Sequence, residues 1–365
     1  MEAILRAIAD SGLDPSVIDG VFTDAQVMPY LFPVDKLEGS ISLPNLEQIG
    51  CFSVAGTGTG YATLQAAEAV RTGRCRAVLV YFGVDWGSNS GGPYAFHDRY
   101  LSKRHFERPY GFYGQPLYYA NYARRYAHKY GHSLETLSAA LGTVAVHQRS
   151  MALKNGNAQK TTPLTKDDYA QSRMIADPLR LFDCCLISDG AGAFIVTDAS
   201  RAQDHSDHPL VQILGVGYGR QPLTEENFFT QNPDLPGMPA ARSSARRAFE
   251  QAGLKPEDLD FAEIYDCFTI SVLIQLEELG VCRPGEAASL LAADGGDFLE
   301  KLPVNTHGGF LSQAYLLGIN HITEAVRQLR GTAGSGQLPN PELCAVTMSP
   351  SRDHTTMILA KGGAR

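Results

Sequence analysis

Apolar positions in the first stretch, MEAILRAIADSGLDPSVIDG, recur at helical spacing with acids among them and stop at Gly12. That pattern predicts an amphipathic helix closed by glycine rather than a signal peptide. The pattern returns late in the chain. Ile4 to Asp19 (ILRAIADSGLDPSVID) matches Ala245 to Asp260 (ARRAFEQAGLKPEDLD) without a gap, at an offset of 241 residues. In each copy a Pro follows the glycine, at 15 or 256, and an Asp precedes an apolar strand, VF after Gly20 or FAEIY from Phe261. A second echo pairs Glu68-Ala69-Val70-Arg71 with Glu324-Ala325-Val326-Arg327. Each sits late in a helix that leads through a glycine turn to a strand, AVLVYF near Ala77 or CAVTM near Cys344.

Further strands are expected at SVAG before Thr57, GAGAFIVT before Asp198, VQILGVGYG from Val211 and TTMILA near the end. Strands alternating with helices imply an α/β chain whose parallel or mixed sheets carry helices on both faces. The repeat implies two similar halves, 1–200 and 209–365, joined near the polar stretch Asp198 to Pro209. Residues of about 86–182, rich in Gly, Tyr, Arg and Pro, interrupt the first half before its last strand, where insertions carry substrate or partner contacts. The second half opens with VQILGVGYG, whose counterpart in the first half would precede Met1, so the start is expected to lie further upstream.

Composition narrows the function classes. The excess of 39 acidic over 31 basic side chains gives a net charge of -8, which disfavours nucleic acid as a partner. Seven cysteines without a C-x-x-C indicate neither a disulfide framework nor a zinc site, and fit a reducing, cytoplasmic setting. No apolar run is long enough to span a bilayer.

Gly56-Thr57-Gly58-Thr59-Gly60-Tyr61 follows a strand and opens a helix, so its backbone N–H groups are candidates to face an anion or a carbonyl oxygen. It departs from a dinucleotide fingerprint, because Tyr61 stands where the last glycine belongs. With the helix GYATLQAAEAVRTG after it, the segment resembles the nucleophile segment of the thiolase superfamily. Ser188-Asp189-Gly190-Ala191-Gly192, Glu263-Ile264-Tyr265-Asp266-Cys267-Phe268-Thr269 and Asn305-Thr306-His307-Gly308-Gly309 extend the resemblance over essentially the whole chain. The resemblance implies a duplicated thiolase fold, a five-layered α-β-α-β-α sandwich, and a tight homodimer. In that fold the strand preceding the first repeat is expected in the middle of the sheet, so a chain starting at Met1 would be less stable or lean on a partner.

Departures from the family's pattern set the expected chemistry. Aligning Gly60 and Leu64 puts Thr57 where the nucleophilic cysteine belongs, and a hydroxyl is far harder to ionise than a thiol. Tyr315 replaces the activating histidine, Tyr265 precedes Asp266-Cys267-Phe268 where sterol-carrier-type thiolases carry His, and the loop Met348-Ser349-Pro350-Ser351 lacks the second cysteine. Tyrosines at these points resemble the thiolase-like aldolases of bacterial steroid side-chain degradation. The resemblance implies that Tyr265 and Tyr315 do the acid/base work of a retro-aldol cleavage. It further implies a β-hydroxyacyl-CoA substrate with a tertiary hydroxyl, a steroid side-chain thioester, and as products a ketosteroid and propionyl-CoA or another short acyl-CoA. An enolate forms on the way, and the backbone near Thr57, Gly308 and Gly309 offers candidate donors for its oxyanion. A free tyrosine titrates near about 10, so a base role asks for a partner, for which Asp266 and His307 are candidates.

The same resemblance implies an α₂β₂ complex with an OB-fold, zinc-ribbon protein. Zinc is then expected in the partner alone, with no cofactor or metal on this chain. Two other readings are a residual acyltransferase using Cys51 or Cys267, and a non-catalytic acyl-CoA or lipid-binding subunit. Tyr118, Tyr119, Tyr122, Tyr126 and Tyr130 recur at helical spacing and read as a packed helix face, while Arg124, Arg125 and Lys129 between them read either as a solvated face or as contacts for coenzyme A phosphates.

Overall fold

The computed structural model describes residues 1–24, 37, 39–54, 56–88, 100–205, 209–224 and 228–362. Its elements run α1 (Glu2–Ser11), β1 (Ile18–Asp24), β2 (Gln48–Phe52), α2 (Gly58–Arg71), β3 (Ala77–Asp85), α3 (Gln115–Tyr130), α4 (Leu134–Lys154), α5 (Lys166–Gln171), β4 (Met174–Ala176), β5 (Leu179–Arg180), β6 (Asp189–Thr197) and α6 (Ala199–His205). They continue as β7 (Val211–Arg220), α7 (Pro239–Ala252), β8 (Phe261–Glu263), α8 (Thr269–Leu279), α9 (Glu286–Lys301), α10 (Ile319–Arg330), β9 (Leu343–Met348) and β10 (Asp353–Lys361).

The larger strands form two four-stranded mixed sheets, ordered β2-β1-β3-β6 and β7-β10-β9-β8. In the first, β1 runs parallel to β2 and β3 and β6 is antiparallel; in the second, β8 is parallel to β9 and β10 is antiparallel to both its neighbours. Helices α2 and α10 touch both sheets and form the middle layer, α1 lies on the outer face of the first sheet and α7 on that of the second. The layers are therefore α, β, α, β, α.

The repeat read from the sequence is structural. Helices α1 and α7 both end on a left-handed glycine, Gly12 at φ 65° and Gly253 at φ 69°. Each is followed by a 3₁₀ turn, Pro15–Val17 or Pro256–Asp258, and then by β1 or β8. The second echo falls at the ends of α2 and α10, which lead to β3 and β9.

Two expectations are corrected. The strand before Thr57 is Gln48–Phe52 rather than SVAG, whose Ala55 lies outside the described residues. Among the described residues the strand VQILGVGYG is an edge strand, paired with β10 alone, so its counterpart position in the first half is the outer edge beside β6 and not the middle of the sheet. Its alternating glycines let α7 lie directly on it: a Cβ at Gly217 would stand 1.9 Å from the Ser244 carbonyl oxygen.

The insertion folds as α3, α4, α5 and the small β4–β5 pair; its residues 89–99 lie outside the described residues, as do 206–208 of the joining stretch. Tyr118, Tyr119, Tyr122 and Tyr126 are buried, and the basic side chains of α3 are engaged on the other face. Arg124 pairs with Asp177, Lys129 with Asp234 at 3.0 Å, and Arg125 donates to the Leu235 carbonyl at 3.2 Å. No helix among the described residues is long and apolar enough to cross a membrane.

Candidate active site

Tyr265 follows β8, and Asn305 ties its segment to the later motif. The Asn305 amide accepts from Ile264 N at 2.6 Å and donates to Ile264 O at 2.9 Å, while Asn305 itself sits at φ 54°. The Tyr265 backbone is held on both sides, its N–H by Thr347 Oγ1 at 3.2 Å and its carbonyl by Gln275 Nε2 at 2.6 Å. Tyr315 arrives from the other direction: its N–H donates to Ser188 Oγ at 2.8 Å, and Ser188 in turn donates to Gln159. These anchors bring the two phenol hydroxyls to 2.8 Å from one another. Phe310 packs edge-on against both rings, with centroids 4.7 Å from Tyr265 and 4.9 Å from Tyr315. Trp86, the residue after β3, lies 5.0 Å from Tyr315. Tyr265 is buried and Tyr315 half-buried, so Tyr315 forms the open side of the pair.

Burial pushes both hydroxyls well above the ordinary phenol range, and each tyrosine's closeness to the other adds to the rise in Tyr265. The expected helpers are placed elsewhere. Asp266 accepts from Phe310 N at 2.8 Å, Leu311 N at 3.2 Å and His321 Nε2 at 3.1 Å, so it shapes the turn that carries Tyr315 instead of touching either hydroxyl. His307 Nδ1 lies 3.0 Å from Glu263 Oε2. Burial raises Glu263 to about 7 and lowers His307, which favours the uncharged form of each over separated charges.

The anticipated oxyanion donors are also largely spent. Thr57 is fully buried, its N–H donates to Val54 O at 3.0 Å and its hydroxyl to Thr355 Oγ1 at 2.8 Å. The Asp24 carboxylate packs on the start of α2, where a Cβ at Gly58 would meet Asp24 Cγ at 2.1 Å. An anionic ligand at that helix end would meet a carboxylate already in place. Gly308 N–H donates to Asn305 O at 2.8 Å, and a Cβ there would lie 2.5 Å from Ala152 Cβ, so this glycine serves packing against α4. Gly309, at φ 58°, faces Asp266 and Asn305.

Sequence reasoning missed Trp86, Glu263 and Ser349. A Cβ at Gly56 would come 2.6 Å from Ser349 Oγ and 3.9 Å from Tyr265 Oη, which places Ser349, at φ 63°, beside the pair. The signal for Trp86 was its position as the sole tryptophan at the carboxyl end of a strand, where α/β sheets place ligands. Glu263, His307 and His321 are buried and offer ligand atoms within 4.8 Å of one another, a set that suits a divalent cation. His307 Nδ1 and Glu263 Oε2 stand 3.0 Å apart, and neither has a hydrogen-bond partner among the described residues. The acyltransferase thiols are poorly placed: Cys51 is exposed on the edge strand β2, and burial pushes the Cys267 thiol up to about 12, away from a thiolate.

Comparison with known proteins shows the family and the fold. Residues 223–361 match the thiolase C-terminal domain-like family. The chain is 37% identical over 342 residues to the 17-hydroxy-3-oxo-4-pregnene-20-carboxyl-CoA lyase of Mycobacterium tuberculosis, covering 91% of this chain and 86% of that protein. It is 36% identical over 363 residues to the steroid side-chain-cleaving aldolase of Thermomonospora curvata, covering 96% and 90%. The chain belongs to this family of thiolase-like aldolases. Members are carbon–carbon lyases of steroid side-chain degradation. The solved Ltp2-ChsH2(DUF35) aldolase superposes with a TM-score of 0.87 at 34% identity, covering all of this chain and 92% of that one. The Acat5 thiolase of Ascaris suum, at 16% identity and a TM-score of 0.65, shares the fold over 98% of this chain and 91% of its own.

Proposed function

We propose that this aldolase cleaves the Cα–Cβ bond of a β-hydroxyacyl-CoA by passing one proton through Tyr265 and Tyr315. The 2.8 Å contact between their hydroxyls carries this reading. A buried tyrosinate is costly, and a pair of touching hydroxyls avoids it. One tyrosine takes the β-hydroxyl proton as it hands its own to the other. The electron pair of the breaking Cα–Cβ bond forms the enolate, and the second tyrosine protonates Cα. Each tyrosine gains one proton and loses one, the released carbinol fragment becomes a ketone, and no free coenzyme A is consumed.

A tertiary β-carbinol has no hydrogen to lose, so oxidation to the β-ketone that thiolysis requires is closed and carbon–carbon cleavage is the open route. The name of the mycobacterial relative fits this chemistry, with a hydroxyl on carbon 17 and the acyl-CoA on carbon 20. Breaking the bond between those carbons yields a ketosteroid and propionyl-CoA. No step calls on a metal held by this chain.

The related structure includes a DUF35 protein. The corresponding assembly here is an α₂β₂ complex of a homodimer with an OB-fold, zinc-ribbon partner, in the cytoplasm. Light scattering on the co-purified complex reads the stoichiometry directly. For the reaction, mass spectrometry after incubation of the complex with a tertiary β-hydroxy steroid acyl-CoA, without free coenzyme A, is expected to detect ketosteroid and propionyl-CoA. Tight binding with no cleavage across steroid and simpler β-hydroxyacyl-CoAs would sink the aldolase reading and leave a binding subunit.

A further inference from the structure

We propose that the indole N–H of Trp86 is the donor that binds the thioester oxygen as negative charge gathers on it; this rests on the retro-aldol reading above. When the Cα–Cβ bond breaks, its electron pair passes into the enolate and the charge settles on that oxygen, which calls for a preplaced donor. The backbone candidates at Thr57 and Gly308 are committed to Val54 O and Asn305 O. Trp86 Nε1, by contrast, is a buried donor with no hydrogen-bond partner among the described residues. A buried N–H is seldom left unpaired, and a ligand group is one thing that pairs it.

Its position suits the task. The Trp86 ring lies 5.0 Å from that of Tyr315, the half-buried member of the pair, so the indole packs against one of the two tyrosines that move the proton. The surrounding structure fixes it there. Asp189 accepts from Gly87 N at 2.6 Å and from Ser88 N at 3.1 Å, pinning the chain directly after Trp86. The neighbouring Ser188 holds Tyr315 N at 2.8 Å. One short motif, Ser188-Asp189, therefore sets the tryptophan and the tyrosine relative to each other, which is the preorganisation an oxyanion donor needs.

The test is replacement of Trp86 in the intact complex by phenylalanine (Trp86→Phe), and separately by benzothienylalanine, which keeps the shape of indole but carries sulfur in place of N–H. Removing one such donor costs roughly 100-fold or more in kcat. Both variants are expected to lose about that much with KM changed less than about threefold. Deuterium uptake at Cα of propionyl-CoA in heavy water, which needs the same enolate but no steroid, should fall in parallel. Wild-type kcat in the benzothienylalanine variant would overturn the donor role, whatever the phenylalanine variant does. A wild-type complex that releases no ketone overturns the aldolase reading instead, and a fall in kcat without a fall in deuterium uptake also rejects the enolate contact.

Discussion

The hydroxyls of Tyr265 and Tyr315 lie 2.8 Å apart although their backbones are anchored in different parts of the fold, Tyr265 by Thr347 and Gln275 and Tyr315 by Ser188. A thiolase needs an ionised nucleophile at its centre. Here two neutral hydroxyls meet in a setting that resists ionisation, since burial raises both above the ordinary phenol range. That favours moving a proton without making a lasting charge.

Removing either hydroxyl breaks the relay. Tyr265→Phe and Tyr315→Phe are each expected to lower kcat by roughly 100- to 10,000-fold, with acyl-CoA affinity little changed. Because the two act as one unit, the double variant should lose scarcely more than the worse single one. Steady-state kinetics and equilibrium binding on all three variants check this. Multiplicative losses would argue for two independent steps, and undiminished turnover would remove the tyrosines from the chemistry.

The raised hydroxyls also fix the expected pH response. A mechanism that needs a free tyrosinate would speed up about tenfold for each unit of pH below the raised value, whereas a neutral relay does not depend on that scarce form. We expect kcat to stay flat between about pH 6 and about pH 9, well below the raised phenols. A log-linear rise across this range would show that one tyrosine works as an anion.

The duplication was legible because helix period, glycine stop, proline and strand recur in the same order, and α1–β1 and α7–β8 realise it. The tyrosine pair was legible through resemblance alone; their spacing in sequence says nothing of a 2.8 Å contact. The helper roles of Asp266 and His307 were not legible. In an extended segment neighbouring side chains point to opposite faces, so Tyr265 reaches the site while Asp266 turns to the Phe310 and Leu311 amides. His307 follows Asn305 at φ 54° and precedes Gly308 at φ 100°, and this turn is accompanied by a ring directed at Glu263. The burial of Thr57 and the presence of Asp24 at the start of α2 are likewise products of packing across the sheets.

Gly308 separates packing from catalysis. Its φ of 100° strains any L side chain, and the added Cβ would stand 2.8 Å from Ala152 Cα, a backbone atom of α4 that cannot swing aside. Gly308→Ala is expected to cost about 2–5 kcal/mol from left-handed strain and overpacking together. Chemical denaturation measures it. A variant as stable as wild type would mean that α4 gives way easily.

Glu263 gives the fold a pH signature of definite sign. Burial raises its carboxyl from 4.5 to about 7, with His321 and the Thr306 hydrogen bonds acting against the rise. Between those values the folded chain holds the proton more tightly than the unfolded chain, so this contribution is fully present below about 4.5 and is lost as pH rises through about 7. The slope is at most about 1.4 kcal/mol per pH unit. Glu263→Gln cannot titrate, so it should gain stability relative to wild type as pH rises through this window. His147 and His354, which burial lowers to about 4 and about 3, contribute the opposite slope below 6.5. That slope is common to both proteins and cancels in the difference. Denaturant midpoints taken across the window test this, and parallel stability curves for the two proteins would mean that Glu263 keeps its charge inside the fold, balanced by a protonated His307 at 3.0 Å.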